Sequence, residues 1–133
     1  RSTLMRSSAA SDVYKRQFTK GMKGAVYDCP FEKDPEITVL RHKDTKRWFG
    51  IVLAAPNRCL GMEPRDGETV VLNIKVPPEL SVLLRENYRG IQAAYHMNKT
   101  HWITVVPNSD VPDEETRNLL KLSFDLTDKR SKK

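Results

Sequence analysis

The sequence predicts an α+β domain in which an antiparallel or mixed four-stranded sheet carries helices on one face. Four segments show the alternation or the apolar runs that are typical of strands, and three of them precede the first amphipathic helix. Short polar turns between consecutive strands favour antiparallel pairing, and the helices must bury their apolar stripes against the sheet. The expected order is therefore β-β-β-α-β-α, after a truncated N-terminal helix.

The first residues are expected to lie outside this domain. Residues 7–17 read Ser-Ser-Ala-Ala-Ser-Asp-Val-Tyr-Lys-Arg-Gln. That run resembles an in-frame translation of a sequencing-library adapter, so residues 1–17 are set aside as adapter-derived. A single domain is expected over residues 18–128, in which residues 18–26 are the remainder of a helix or a linker. Residues 129–133 are expected to form a basic disordered tail.

Three strands are predicted in the first half of the domain. Residues 36–42 alternate and are rich in β-branched side chains, which favours a strand. Residues 47–54 are nearly all apolar, as in a central strand that is covered on both faces. A loop with prolines and glycines follows at 56–67. Residues 68–76 then alternate, which places four apolar side chains on one face: Val70, Leu72, Ile74 and Val76.

Two helices and one strand complete the prediction. Pro77 and Pro78 end the third strand, and proline is tolerated at the first position of a helix, so a helix is expected to about residue 87. A polar and aromatic turn leads into a fourth strand at 102–106. Acidic residues at 113–115 suit the N-terminus of a helix because of its dipole, and apolar residues at helical spacing continue that helix to about residue 128.

The charge and the cysteines narrow the functional class. The chain has 23 Lys and Arg against 17 Asp and Glu. Residues 1–17 and 128–133 together hold eight bases and two acids, which leaves 15 of each in residues 18–127. The broad basic field of many nucleic-acid binders is therefore absent, and a local patch would be needed. The absence of a long apolar run argues against a membrane span. Cys29 and Cys59 are expected to be free thiols of a cytoplasmic protein.

The strongest concentration of groups that can bond or stack lies between residues 88 and 106. Arginine and lysine there could contact phosphates, and an exposed tryptophan or tyrosine could stack on a base. Alternatively, Tyr95 and Trp102 pack in the core and Asn98 bonds the backbone of its own turn. Arg41 and Arg47 flank a hairpin turn that is either simply solvated or in contact with phosphate.

The sequence gives little support for catalysis or metal binding. His96 and His101 are too few ligands for a metal site. Neither cysteine lies in a recognisable nucleophile motif, and Ser123 lacks the Gly-x-Ser-x-Gly context. We therefore expect no catalytic residue, no metal, no cofactor and no enzymatic activity.

Residues 95–102 read Tyr-His-Met-Asn-Lys-Thr-His-Trp, which closely resembles the signature of the MmcQ/YjbR family. Residues 71–79, 84–88 and 123–126 resemble further elements of that family. The resemblance implies a CyaY-like or double-wing topology with an antiparallel sheet and helices on one face. It also implies a DNA-binding function, which rests on analogy at the level of the fold.

The first hypothesis is a non-enzymatic domain that binds double-stranded DNA mainly through backbone phosphates, as a monomer and without a membrane. A protein-binding or small-ligand module that uses the aromatic turn 95–102 is the alternative, and an enzyme is a distant third. The residues expected to contact DNA are Arg41, Arg47, Arg89, Asn98, Lys99, His101 and Trp102.

Overall fold

The computed structural model describes residues 21–34 and 36–128, which form one six-stranded antiparallel sheet and three helices. The strand order across the sheet is β1-β2-β3-β4-β6-β5. The predicted α+β class and antiparallel pairing are confirmed. The strands are β1 (Ala25–Asp28), β2 (Thr38–His42), β3 (Trp48–Pro56), β4 (Glu68–Lys75), β5 (Ile91–Ala93) and β6 (Trp102–Val105), and the helices are α1 (Asn57–Leu60), α2 (Pro78–Asn87) and α3 (Asp113–Leu126).

The predicted number of four strands is wrong. The described part of the expected helix or linker at 18–26 forms turns and then β1, because Gly21 and Gly24 adopt positive φ angles of 80° and 84°. Strand β5 lies inside the predicted polar turn, and α1 lies inside the predicted loop 56–67. Both β1 and β5 are short edge strands, and pairing with β2 and β6 supplies the hydrogen bonds that define them. Residues 1–17 and 129–133 lie outside the described residues.

A bulge shapes the sheet where β2 meets β3. Leu40 pairs with Gly50, but Arg41 pairs with Trp48, so Phe49 is an extra residue. A bulge of this kind redirects side chains locally. Phe49 therefore joins the core beneath α3, whereas Trp48 packs on the opposite face of the sheet.

The two long helices cover one face, as predicted. Ser123 of α3 is fully buried; its hydroxyl donates to the carbonyl of Phe49 (2.6 Å) and accepts from the N–H of Lys75 (3.2 Å). It thus satisfies two backbone groups beside the bulge, as buried polar groups require. The main core under α2 and α3 consists of Leu40, Phe49, Val52, Val70, Leu72, Ile74, Val76, Leu84, Ile91, Ile103, Val105, Val111, Leu119 and Leu120.

The opposite face is covered by α1 and by loops. Here the prediction that helices pack on one face holds for α2 and α3 but not for α1, because Leu60 of α1 belongs to this second cluster. Asn73 and Thr104 lie opposite each other on β4 and β6, and both are fully buried. The buried apolar residues of this face are Ile51, Leu53, Ala55, Leu60, Val71 and Val106.

Candidate functional site

Two buried polar side chains anchor the loop that joins β5 to β6, residues 94–101, here called the signature loop. The hydroxyl of Thr104 donates to Oδ1 of Asn73 (2.6 Å) and accepts from the N–H of Tyr95 (2.8 Å). Nδ2 of Asn73 donates to the carbonyl of Tyr95 (2.8 Å). Buried polar groups of this kind are stable only when they are hydrogen-bonded. These three bonds therefore fix Tyr95 against the sheet.

The second half of the signature loop is held by its own side chains. Oδ1 of Asn98 accepts from the N–H groups of Thr100 (2.9 Å) and His101 (3.0 Å), which is an Asx turn. Nζ of Lys99 donates to the carbonyl of Ala94 (2.6 Å). Asn98 therefore bonds the backbone of its own turn, which was one of the two alternatives for it. Lys99 and His101 remain exposed.

A cleft of about 210 Å³ lies between the signature loop and the second face of the sheet. We call it the aromatic cleft. Phe31 and Trp48 meet edge to face on one side, with ring centroids 6.0 Å apart. The guanidinium of Arg41 lies 5.7 Å from the centroid of the Trp48 ring. Trp102 does not line this cleft. The lining residues are Phe31, Ile37, Trp48, Ile51, Leu53, Asn73, Tyr95, His96 and Met97.

The phenol of Tyr95 is perturbed by its surroundings. Burial raises its pKa above the ordinary value, and the nearby charges of Cys59 and Glu68 act in the same direction. The positive charge of Arg58 partly opposes them. The hydroxyl thus stays neutral across the physiological range, because its ordinary pKa is already near 10. Tyr95 consequently contributes an uncharged aromatic wall.

The strand register brings several predicted residues to one end of the sheet. Arg41 pairs with Trp48 beside the turn at 43–47, and Lys75 pairs with Trp102 beside the signature loop. Since β3 and β4 are paired antiparallel neighbours, with Gly50 opposite Ile74, these turns share the same end. We call it the basic end. Its cations outnumber its carboxylates: Lys23, Lys43, Lys46, Arg47, Lys75 and Lys99 lie there with Asp44, Glu79, Asp125 and Asp128.

Two of the predicted arginines at this end already have partners. Nε of Arg41 bonds the carboxylate of Asp28 at 2.8 Å, which offsets part of its charge. Nη1 of Arg47 makes a long contact of 3.5 Å with the carbonyl of Thr127, and its side chain is otherwise exposed. Trp102 is half-buried at the start of β6. Arg47 is therefore the freer of the two arginines.

Arg89 lies apart from this group. Ala93 is the end of β5 that leads into the signature loop, and Arg89 precedes the other end. Its backbone N–H and that of Gly90 both donate to the carboxylate of Asp110 at 2.8 Å. These two bonds lower the pKa of Asp110 below its ordinary value. The structure thus gathers six of the seven predicted residues and separates Arg89 from them.

The opposite end of the sheet carries an excess of acid. The connection between β3 and β4 and the start of α3 meet there, since α3 runs back toward the basic end. Arg58 and Arg65 lie near the β3–β4 connection, Arg89 precedes β5, and Arg117 lies near the start of α3, so this end has fewer cations than carboxylates. Charge is therefore separated along the strand direction although the domain is nearly neutral. The carboxylates at this end are Glu63, Asp66, Glu68, Asp110, Asp113, Glu114 and Glu115.

Three features of the described part of the chain concern metal binding, membrane spanning and the cysteines. Across residues 21–34 and 36–128, no group of three His, Cys, Asp or Glu side chains could hold a metal ion. Within the same residues, no helix has the length and apolar character needed to cross a bilayer. Cys29 and Cys59 are both exposed and free.

The sequence pattern and the fold recur in bacterial proteins. Residues 20–126 match the model of the YjbR family. YyaQ, an uncharacterized protein of Bacillus subtilis (strain 168), is 40% identical over 116 residues, which are 87% of this chain and 95% of YyaQ. YjbR of Escherichia coli (strain K12), also uncharacterized, is 34% identical over 53 residues, which are 40% of this chain and 45% of YjbR.

Solved structures extend the comparison to three dimensions. A crystal structure of a Pseudomonas syringae protein is 36% identical with a TM-score of 0.78, and the match covers 86% of this chain and 97% of that one. DR2400 of Deinococcus radiodurans, with the domain DUF419, is 26% identical with a TM-score of 0.66, over 90% of this chain and 79% of DR2400. The sheet and its helices are thus shared with these proteins.

Proposed function

This chain belongs to the YjbR family, and from its basic end we propose that the domain binds double-stranded DNA through backbone phosphates, without catalysing a reaction. The observation that carries the proposal is the separation of charge along the strands. A nearly neutral domain attracts a polyanion only where its cations cluster. The basic end is such a cluster, and the acidic end is repelled by DNA.

The spacing of the two basic turns suits a duplex. The turn at 43–47 follows β2, and the signature loop leads into β6, with β3 and β4 between these strands. Neighbouring strands lie about 4.8 Å apart, so the two turns are roughly 10–14 Å apart at the sheet. The major groove of B-DNA is about 12 Å wide. Each turn would then contact the phosphates of one groove edge.

The residues of the basic end contribute to the proposed binding in different ways. Lys43, Arg47 and Lys75 supply three of the positive charges at the basic end. Lys99 bonds only a neutral carbonyl, so its positive charge is retained at the opposite turn. Asn98 positions that lysine by shaping the turn. Arg89 has no part in the proposed surface because it lies beyond the other end of β5.

A matched pair of triple variants tests the proposal. K43Q/R47Q/K75Q removes three charges from the basic end, and R58Q/R65Q/R85Q removes three elsewhere, so the net charge of the two variants is equal. Binding to a short duplex is followed by fluorescence anisotropy across a salt series. The salt slope is the slope of the logarithm of the affinity against the logarithm of the salt concentration, and each lost phosphate contact lowers its magnitude by about 0.9. The slope of the first variant should therefore be smaller by up to about 2.7. The slope of the second variant should equal that of the wild type.

Two results would refute the proposal. One is the absence of any anisotropy change for the wild-type protein with duplex DNA at low salt. The other is an equal loss of affinity in both triple variants, which would indicate a general charge effect without a defined surface. Circular dichroism of each variant establishes that the fold is retained before the binding data are compared.

A further inference from the structure

The aromatic cleft has no role in contacts between phosphates and the basic end. We propose that it binds a single planar heteroaromatic ring that carries an anionic group, which is the chemistry of a nucleoside monophosphate. This inference goes beyond the proposed function, because it requires Phe31, Trp48 and Tyr95 and does not require a duplex.

The volume of the cleft limits the ligand to a single ring system. Sites for drug-sized ligands have volumes of roughly 300–1,000 Å³, whereas this cleft has about 210 Å³. A ring that enters between Trp48 and Tyr95 would meet aromatic side chains on both sides. Aromatic groups favour offset or edge-to-face contacts with centroids about 4.5–7 Å apart. The Phe31–Trp48 pair already has this geometry, at 6.0 Å.

One polar group at the floor favours a heteroaromatic ring over a hydrocarbon. Asn73 lines the cleft, and its side-chain nitrogen donates to the carbonyl of Tyr95. A primary amide nitrogen carries two hydrogens, and within the described residues this bond uses one of them. The proposal requires the ring to part the side chains above this fully buried amide and to accept the second hydrogen through a ring nitrogen or a carbonyl oxygen.

The charges beside the cleft select an anionic substituent. Arg41 lies over the Trp48 ring, and the ammonium of Lys99 lies at the carbonyl of Ala94, one residue before Tyr95. A cationic ligand would be repelled by both groups. Asp28 engages Nε of Arg41, and Nη1 makes a long contact of 3.5 Å with the carbonyl of Lys46, so Nη2 is the nitrogen that neither contact uses. In the proposed complex, the phosphate attached to the ring leaves the cleft toward Arg41 or Lys99, neither of which lines the cleft itself.

The chain provides its own reporter for the test. It has two tryptophans, of which Trp48 lines the cleft and Trp102 does not. In W102F the emission therefore reports Trp48 alone. AMP should change this emission in a saturable manner, and adenosine, which lacks the phosphate, should bind more weakly. A short single-stranded oligodeoxyadenylate tests whether the ligand is a free nucleotide or a base within a strand. A response to either ligand supports the proposal that the cleft binds the ring.

Three variants in the W102F background separate the contributions. F31A removes an exposed wall and should weaken AMP binding at least about fivefold, the lower range of a stacking contact. R41Q should reduce the affinity for AMP toward that for adenosine and leave adenosine unchanged. R47Q, a basic residue outside the cleft, should leave AMP binding unchanged while it weakens duplex binding, so the two proposals can fail separately.

The inference is overturned if Trp48 emission responds neither to AMP at millimolar concentration nor to the oligonucleotide. It is also overturned if F31A and R41Q, folded by circular dichroism, bind AMP as tightly as the W102F parent. An AMP titration whose midpoint is the same in F31A as in the W102F parent would show that the ring lies elsewhere.

Discussion

Replacing Thr104 with valine should loosen the signature loop and destabilise the domain. Valine keeps the shape of threonine but removes the hydroxyl, so Oδ1 of Asn73 and the N–H of Tyr95 each lose a partner. An unsatisfied buried donor or acceptor costs about 1–3 kcal/mol. Two such groups predict a loss of about 2–6 kcal/mol in the free energy of unfolding, which urea denaturation measures.

Thr69 provides a matched control for this prediction. Its hydroxyl also donates to an asparagine, Oδ1 of Asn57 at 2.5 Å, but Thr69 is only partly buried. T69V should therefore cost less than T104V, and only T104V should accelerate hydrogen exchange at the amide of Tyr95. If T104V unfolds at the wild-type urea concentration and Tyr95 keeps its protection, the buried network does not hold the loop.

Three further substitutions test the electrostatics and the docking of α3. The lowered pKa of Asp110 means that its carboxylate stabilises the fold above its ordinary pKa and loses this effect as the pH falls through the lowered value; D110N should therefore flatten the acid limb of a stability titration. The raised pKa of Tyr95 affects stability at alkaline pH. The neutral phenol contributes stability below about pH 10, and this contribution is lost as the pH rises through the raised pKa. Y95F should remove this alkaline loss in the same titration. S123A leaves the carbonyl of Phe49 and the N–H of Lys75 unpaired, and should lower the free energy of unfolding in urea by about 2–4 kcal/mol; a loss below about 0.5 kcal/mol would contradict this docking role.

The sequence predicted the elements that have a strong internal period. The apolar run of β3, the alternation of β4 and the stripes of α2 and α3 are local signals, and the observed bounds agree with them. The edge strands β1 and β5 have four and three residues. Their existence depends on pairing with distant strands, which no local pattern reveals.

The sequence predicted one part of the candidate site, the signature loop, and missed the other. The composition of residues 95–102 drew attention to the signature loop, and six predicted residues do lie at the end of the sheet that includes it: Arg41, Arg47, Asn98, Lys99, His101 and Trp102. The other wall of the aromatic cleft was missed. Trp48 faces the cleft because the bulge at Phe49 shifts the register of β3, and the sequence of β3 carries no sign of that bulge.

The roles of Asn73 and Thr104 were also missed. Each is the single polar residue in a largely apolar strand core, which is a detectable signal for a buried partner. Their pairing, however, depends on the register of β4 against β6, which places them opposite each other. Only the folded sheet supplies that register.

The separation of charge along the strands also has a kinetic consequence. A body with opposite charge at its two ends has a large dipole moment, and the field of a nearby polyanion exerts a torque on it. This torque acts within about a Debye length, roughly 8–10 Å at physiological salt. An approaching domain would therefore rotate until the turn at 43–47 leads, so productive collisions should become rarer as salt increases, even though the two partners barely attract each other at long range.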